Sequence, residues 1–136
     1  MSNLLPQWEE MSPARRFFDA LVLPAVFGLL CGLALGISAP LYLVGVVIAL
    51  LGGISGGAQY ASRRDALIRG LVAGTIFGLF ILLGFDLGGE DEAKVDLPDP
   101  HIVLLVFTIV PSLFLHWLGW RLRPRLHGES HPAEAA

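Results

Sequence analysis

Apolar positions in this chain fall into four long runs, each broken by a short stretch that cannot continue it. Phe17 to Ile37 is apolar apart from Asp19, Leu41 to Tyr60 is rich in Val, Ile, Leu and Gly, Ala66 to Leu87 carries charge only at Arg69 and Asp86, and His101 to Trp120 is broken by Pro111. A helix needs roughly 20 apolar residues to cross the hydrocarbon core of a bilayer. The pattern predicts an all-α, polytopic membrane protein with transmembrane helices at about 17–37, 41–60, 66–87 and 101–120. A secretory signal peptide would share the positive charge of Arg15 and Arg16, but its apolar run is about 7 to 15 residues long and ends at a cleavage site.

The breaks carry their own signals. Ser12 followed by Pro13 reads as an N-cap and first helical residue, after an interfacial segment over 1–12 that mixes Leu4, Leu5 and Trp8 with Glu9 and Glu10. Ser38, Ala39 and Pro40 form an uncharged turn. Residues 61–65 turn back through Arg63 and Arg64, with Ser62 as the expected cap, Asp65 as its capping-box partner and Arg69 as the ion-pair mate of Asp65. The acidic segment 88–100, with two glycines and two prolines, reads as a solvated loop, and 124–136 as a polar C-terminal tail. Pro24 and Pro111, inside runs, predict kinks or carbonyls that other groups must satisfy.

Composition agrees with this reading. Of the 136 residues 54% are hydrophobic and 15% charged, against about 25% charged in a typical soluble domain. The chain reads as one membrane domain, 1–136. A single cysteine, Cys31, leaves no disulfide within the chain. Charge is segregated: Arg15, Arg16, Arg63, Arg64, Arg69, Arg121, Arg123 and Arg125 fall on one side of a four-span arrangement, and Lys94 on the other. The positive-inside rule then places both termini and the 61–65 turn in the cytoplasm, with 38–40 and 88–100 outside, and sets Trp8, Tyr60, Trp117 and Trp120 near the cytoplasmic interface. The expected location is the cell membrane, and a composition rich in Arg, Ala, Gly and Pro with one lysine suggests a prokaryotic genome of high GC content.

Glycine spacing is the most specific feature. Gly28, Gly32 and Gly36 form one four-residue series and Gly70, Gly74 and Gly78 another, while Gly52, Gly53, Gly56 and Gly57 make two overlapping small-xxx-small pairs. Such series let helix backbones approach closely in lipid. The stretch from Gly52 to Gly78 therefore reads as a membrane hairpin. Glycine-zipper packing would serve a compact four-helix bundle, and would equally suit a homo-oligomer or contact with another membrane protein. A shift of fifty residues lays Leu21, Val22, Phe27, Gly28 and Leu29 on Leu71, Val72, Phe77, Gly78 and Leu79, a faint repeat relating the first and third spans.

Polar residues within spans point to a site or a path. Thr108, Ser112 and His116 draw a line at four-residue spacing down the last span, and Ser55 and Gln59 share that spacing on the second. Together these five form a candidate polar path. Their plainer reading is hydroxyls bonded to their own helices and a histidine at the interface. Asp86 and His101, at the outer ends of their spans, form a candidate pair, and Asp19 is one turn from Arg15 and Arg16. His127 and His131 have metal-like spacing but no third ligand, and the acidic loop lacks the ligand order of a calcium loop. No nucleotide loop, nucleophile elbow, zinc-protease motif or nucleic-acid patch occurs. The sequence thus predicts no catalytic residues, metal or cofactor and no nucleic-acid partner, with the lipid bilayer as the certain environment. It describes a non-enzymatic small membrane protein that self-associates or packs with a membrane partner through its glycine faces, or alternatively a small-ion or proton channel or transporter along the fourth span.

Overall fold

A computed structural model describes residues 5–88 and 96–126. Among the described residues four helices are long and apolar enough to cross a membrane: α1, Pro13–Leu35; α2, Ala39–Ala58; α3, Arg63–Gly88; and α4, His101–Leu126. They pack as a compact bundle of the kind expected for a small multi-pass integral membrane protein. Their ends follow local chemistry. Ser12 caps α1 by accepting a hydrogen bond from the Arg15 N–H at 3.3 Å, with Pro13 opening the helix. Ser38 accepts from the Leu41 N–H at 3.5 Å at the start of α2. Gly36, the third glycine of its series, stands at the C-cap of α1, beyond the last helical residue.

Most helix ends differ from the spans read from hydropathy. α1 starts at Pro13, four residues before the apolar run and where the Ser12–Pro13 signal placed it, and ends at Leu35, while α2 starts at Ala39 and α3 at Arg63, before their apolar runs. α2 ends at Ala58, so Gln59 and Tyr60 belong to the turn. α4 continues through Pro111 and Pro124 to Leu126, taking in the first residues of the expected polar tail. Pro24 acts differently: just before it, Phe18–Val22 form a π-helical turn in which the Leu23 N–H reaches back to the Phe18 carbonyl. Glu90, Asp91, Glu92, Lys94, His127 and His131 lie outside the described residues.

The helices associate as α1 with α3, α3 with α4 and α4 with α2, with slighter contact of α2 with α1 and α3. The two spans expected to form a hairpin over Gly52 to Gly78 do follow one another through a short turn at 59–62. Their mutual contact is slight, and the glycine faces of both are filled by α4.

Close glycine contacts define each junction. On the α1–α3 seam, a Cβ built on Gly32 would stand 2.8 Å from the Gly84 Cα, and one on Gly28 2.9 Å from the Phe80 Cβ. On the α3–α4 seam, a Cβ on Gly74 would stand 2.8 Å from the Ile109 Cα and 2.9 Å from the Ser112 Cβ, and one on Gly78 would press on Leu105 and Thr108. On the α2–α4 seam, Gly57 meets the backbone of His116, and Gly119 meets the backbone of Ile54. Gly52, by contrast, has open space around it. Only residues without a Cβ allow helix backbones this near.

Toward the loop end of the bundle, Cys31, Leu35, Ile81, Phe85 and Leu104 form a buried apolar cluster with Tyr42, Phe77, Leu82 and Leu97 against it. At the arginine end, the segment before α1 folds over the helix ends. The Trp8 N–H donates to the Gln59 carbonyl at 3.0 Å and the Trp8 ring stacks on Tyr60 at 5.1 Å. Arg16 donates to the carbonyls of Trp8 and Glu9 at 3.0 and 2.8 Å, and Arg123 donates to the Gln7 side chain at 3.1 Å. Trp120 closes the same end by donating to the Ala61 carbonyl at 3.1 Å.

Candidate functional site

Between the four helices lies a cavity of about 460 Å³. Ser55, Gln59, Thr108, Ser112 and His116, proposed from spacing alone as one polar path, all line it. They share it with Asp19, Tyr42 and Arg69 and with a larger apolar wall that includes Phe27, Phe77 and Phe107. Ile81 and Leu104 belong both to this wall and to the buried cluster. The polar lining thus stops at a packed apolar floor on the loop side.

His116 is the most deeply placed polar side chain, at 3% exposure. Its position follows from the glycines around it: the imidazole fits against Gly53 and Gly56 of α2, and its Cβ against Gly70 of α3. A side chain at any of the three would contend for the same volume. The imidazole Nδ1 lies 2.8 Å from the Ser112 carbonyl, which makes Nδ1 a protonated, donating nitrogen of the ring. Ser112 in turn donates its hydroxyl to the Gly70 carbonyl at 2.8 Å, tying α4 to α3.

The other hydroxyls behave as the plainer reading expected. Ser55 donates to the Gly52 carbonyl at 2.9 Å and Thr108 to the Leu105 carbonyl at 3.1 Å, each within its own helix. They line the cavity without crossing it. Asp19 accepts an ion pair from Arg15 at 3.8 Å, one turn away. The candidate pair of Asp86 and His101 is not formed: the His101 ring stands edge-on to Phe85 at 5.5 Å, and Asp86 is exposed.

Arg69 is the cavity residue whose role the sequence did not reveal. Its guanidinium turns away from Asp65 and across to α1, donating to the Ala20 carbonyl at 3.0 Å and to the Asp19 carbonyl. Both carbonyls lack an intrahelical donor for local reasons. The residue four beyond Ala20 is Pro24, which has no N–H, and the Leu23 N–H that would serve Asp19 is drawn to Phe18 by the π turn. Arg69 replaces both missing donors from the neighbouring helix. The sequence signal was a proline within the first span together with a lone arginine at matching depth in the third.

Arg69 and Gln59 also line a second hollow of about 300 Å³ beneath Gln7, Trp8 and Glu9, where Tyr60, Ser62 and Asp65 complete the wall. Burial beside these residues pushes the Tyr60 hydroxyl up to about 12, while the cations of Arg69 and Arg16 oppose that shift. Arg69 and Gln59 consequently stand between an inner cavity and an outer hollow at the arginine end.

No protein-family model, curated protein or solved structure matches the chain.

Proposed function

We propose that this small integral membrane protein is a non-enzymatic channel or transporter whose inner cavity is a solute site entered from the arginine end. The observation that carries the reading is the convergence of Ser55 of α2, Gln59 of the turn that follows it, and Thr108, Ser112 and His116 of α4 on one cavity of about 460 Å³. That volume lies within the roughly 300–1,000 Å³ of small-molecule sites, and polar groups deep within a spanning bundle are costly unless they serve a path or a site. The apolar floor at Ile81 and Leu104 favours a one-ended cavity that opens by helix movement over a pore open at both ends. α2, with its slighter contacts to α1 and α3, is the element free to move.

Self-association through the glycine faces is the weaker reading of the same sequence. Those faces are occupied by helices of the same chain, and Gly52 is the exception on α2. Both termini in the cytoplasm of a prokaryotic cell remains the orientation supported by the arginine distribution.

Flux from proteoliposomes tests the reading. Protons, potassium, chloride and benzoate are followed in parallel for the natural chain and for Ser55→Phe, which fills the cavity from α2 without removing a charge. Protein-dependent flux of at least one solute, suppressed in Ser55→Phe, is expected; silence for all four would overturn transport.

A further inference from the structure

We infer that the cavity takes an amphipathic anion: a carboxylate or phosphate head at Arg69 with an acyl chain lying along Phe27 and Phe77. The inference rests on the solute-site reading above and names the class of solute.

Charge selects the sign. Arg69 brings a permanent cation into the bundle, six residues past the start of α3 at Arg63. Its hydrogen bonds go to two backbone carbonyls, which neutralise no charge, and its Nε is buried with no partner. Asp19 is paired with Arg15 at 3.8 Å, and Asp65, one turn before Arg69, is exposed and makes no ion pair with it. No carboxylate therefore forms a salt bridge with Arg69 among the described residues. A partly buried guanidinium with no salt-bridge partner attracts an anion and repels cations and protons, as arginines do in selective pores. Ser55 of α2 and Gln59 of the turn after it add neutral hydrogen-bonding groups to the lining.

Shape selects the tail. Beyond the arginine the cavity wall is apolar, through Phe27, Phe77 and Ile81. Its rim includes side chains that also face lipid: Leu23 is 37%, Ile48 48% and Phe107 63% exposed. A cavity bounded in this way is also open sideways to the acyl region, so a solute whose head enters at the arginine end and sits at the depth of Arg69 can keep its chain in the bilayer. A small inorganic anion would leave the aromatic wall without a partner, and a neutral lipid would leave the guanidinium without one.

Photo-crosslinking of the full chain in phosphatidylcholine vesicles tests this. The probe is a diazirine-bearing palmitate, with adducts mapped by mass spectrometry. Adducts are expected on α1 and α3 around Phe27 and Phe77, competed by palmitate at least tenfold better than by hexadecanol. Adduct yield should fall at least tenfold in Arg69→Gln, be retained in Arg69→Lys, and be unchanged in Arg63→Gln, whose arginine is exposed. Circular dichroism and gel filtration establish that each variant is folded. Competition by phosphatidylglycerol would identify a phospholipid as the source of the head group, and its failure beside effective palmitate a free single-chain acid; both support the class. If hexadecanol competes as well as palmitate, or Arg69→Gln is without effect, the anion inference is overturned. In that event loss of adducts in Ser55→Phe would leave the solute site standing, whereas adducts unchanged in Ser55→Phe would remove both.

Discussion

Arg69 on α3 donates to the Ala20 carbonyl on α1 at 3.0 Å, supplying the hydrogen bond that Pro24 cannot. A proline in one helix and an arginine in another thus form a single structural unit. Each alone would be a defect in a spanning bundle, the first exposing carbonyls and the second burying a charge.

Because the two residues compensate each other, their substitutions should not add. Arg69→Gln should destabilise the natural chain by about 1.5–3 kcal/mol, the range for hydrogen bonds to charged groups. In a Pro24→Ala background, where the Ala20 carbonyl regains a donor, the same change should cost less. Unfolding of the four chains in detergent gives the coupling energy, and strict additivity would contradict the arrangement.

Glycine packing gives a second prediction with an internal control. Leucine at Gly74 would strike the backbone of Ile109 and the side chain of Ser112, so Gly74→Leu should lower stability by about 1–3 kcal/mol or more. Gly52→Leu, facing open space, should be close to neutral. Thermal melts followed by circular dichroism compare the two, and equal losses would mean that spacing rather than seam position sets the cost. Gel filtration of the same samples reports whether either face also governs self-association.

How much of this was readable in advance depends on which partner a feature required. Four spans were legible because lipid imposes length and hydropathy on each helix separately. The common cavity of Ser55, Gln59, Thr108, Ser112 and His116 was legible because four-residue spacing puts residues on one helix face. The pairing order was not. Glycines 53, 56 and 57 and glycines 70, 74 and 78 flank one turn and suggested mutual contact, yet both faces receive α4 through His116, Ser112 and Ile109. Spacing identifies a groove without naming the helix that fills it. Gly119 escaped notice because it serves its seam without a glycine four residues away, and Gly84, although Gly88 follows at that spacing, because it lies at the end of its span beside the acidic loop. The role of Arg69 was hidden because it depends on a π turn, a feature of backbone register in another span.

Tyr60 offers a pH prediction at the arginine end. Its hydroxyl, held protonated by burial, should ionise near pH 12 instead of about 10. A folded-state value above the unfolded one means its stabilising contribution is complete below about pH 10 and is lost as pH climbs through about 12. In a Tyr42→Phe background Tyr60 is the remaining tyrosine, so absorbance at 295 nm follows it directly. Ionisation near pH 10 with the fold intact would show that the stack on Trp8 does not exclude water.

Orientation is tested with cysteines in a Cys31→Ala background. Asp99→Cys, in the loop before α4, should react with an impermeant maleimide in intact cells, and Arg64→Cys only after permeabilisation. The reverse pattern would invert the assignment of the arginine end to the cytoplasm.

The central claim is that a cavity lined in part by polar side chains, and not merely four packed helices, occupies the middle of this protein. Cysteine accessibility tests it most directly. In the same Cys31→Ala background, Ser55→Cys, Gln59→Cys and Ser112→Cys are compared with Val47→Cys and Val110→Cys, whose natural side chains are 54% and 57% exposed on the outside of the bundle. With a charged, water-soluble thiosulfonate reagent in proteoliposomes, the three cavity positions should react and the two lipid-facing positions should stay inert. Cavity positions as unreactive as Val47 and Val110 would mean that the space between the helices is closed to aqueous solutes, contradicting the account.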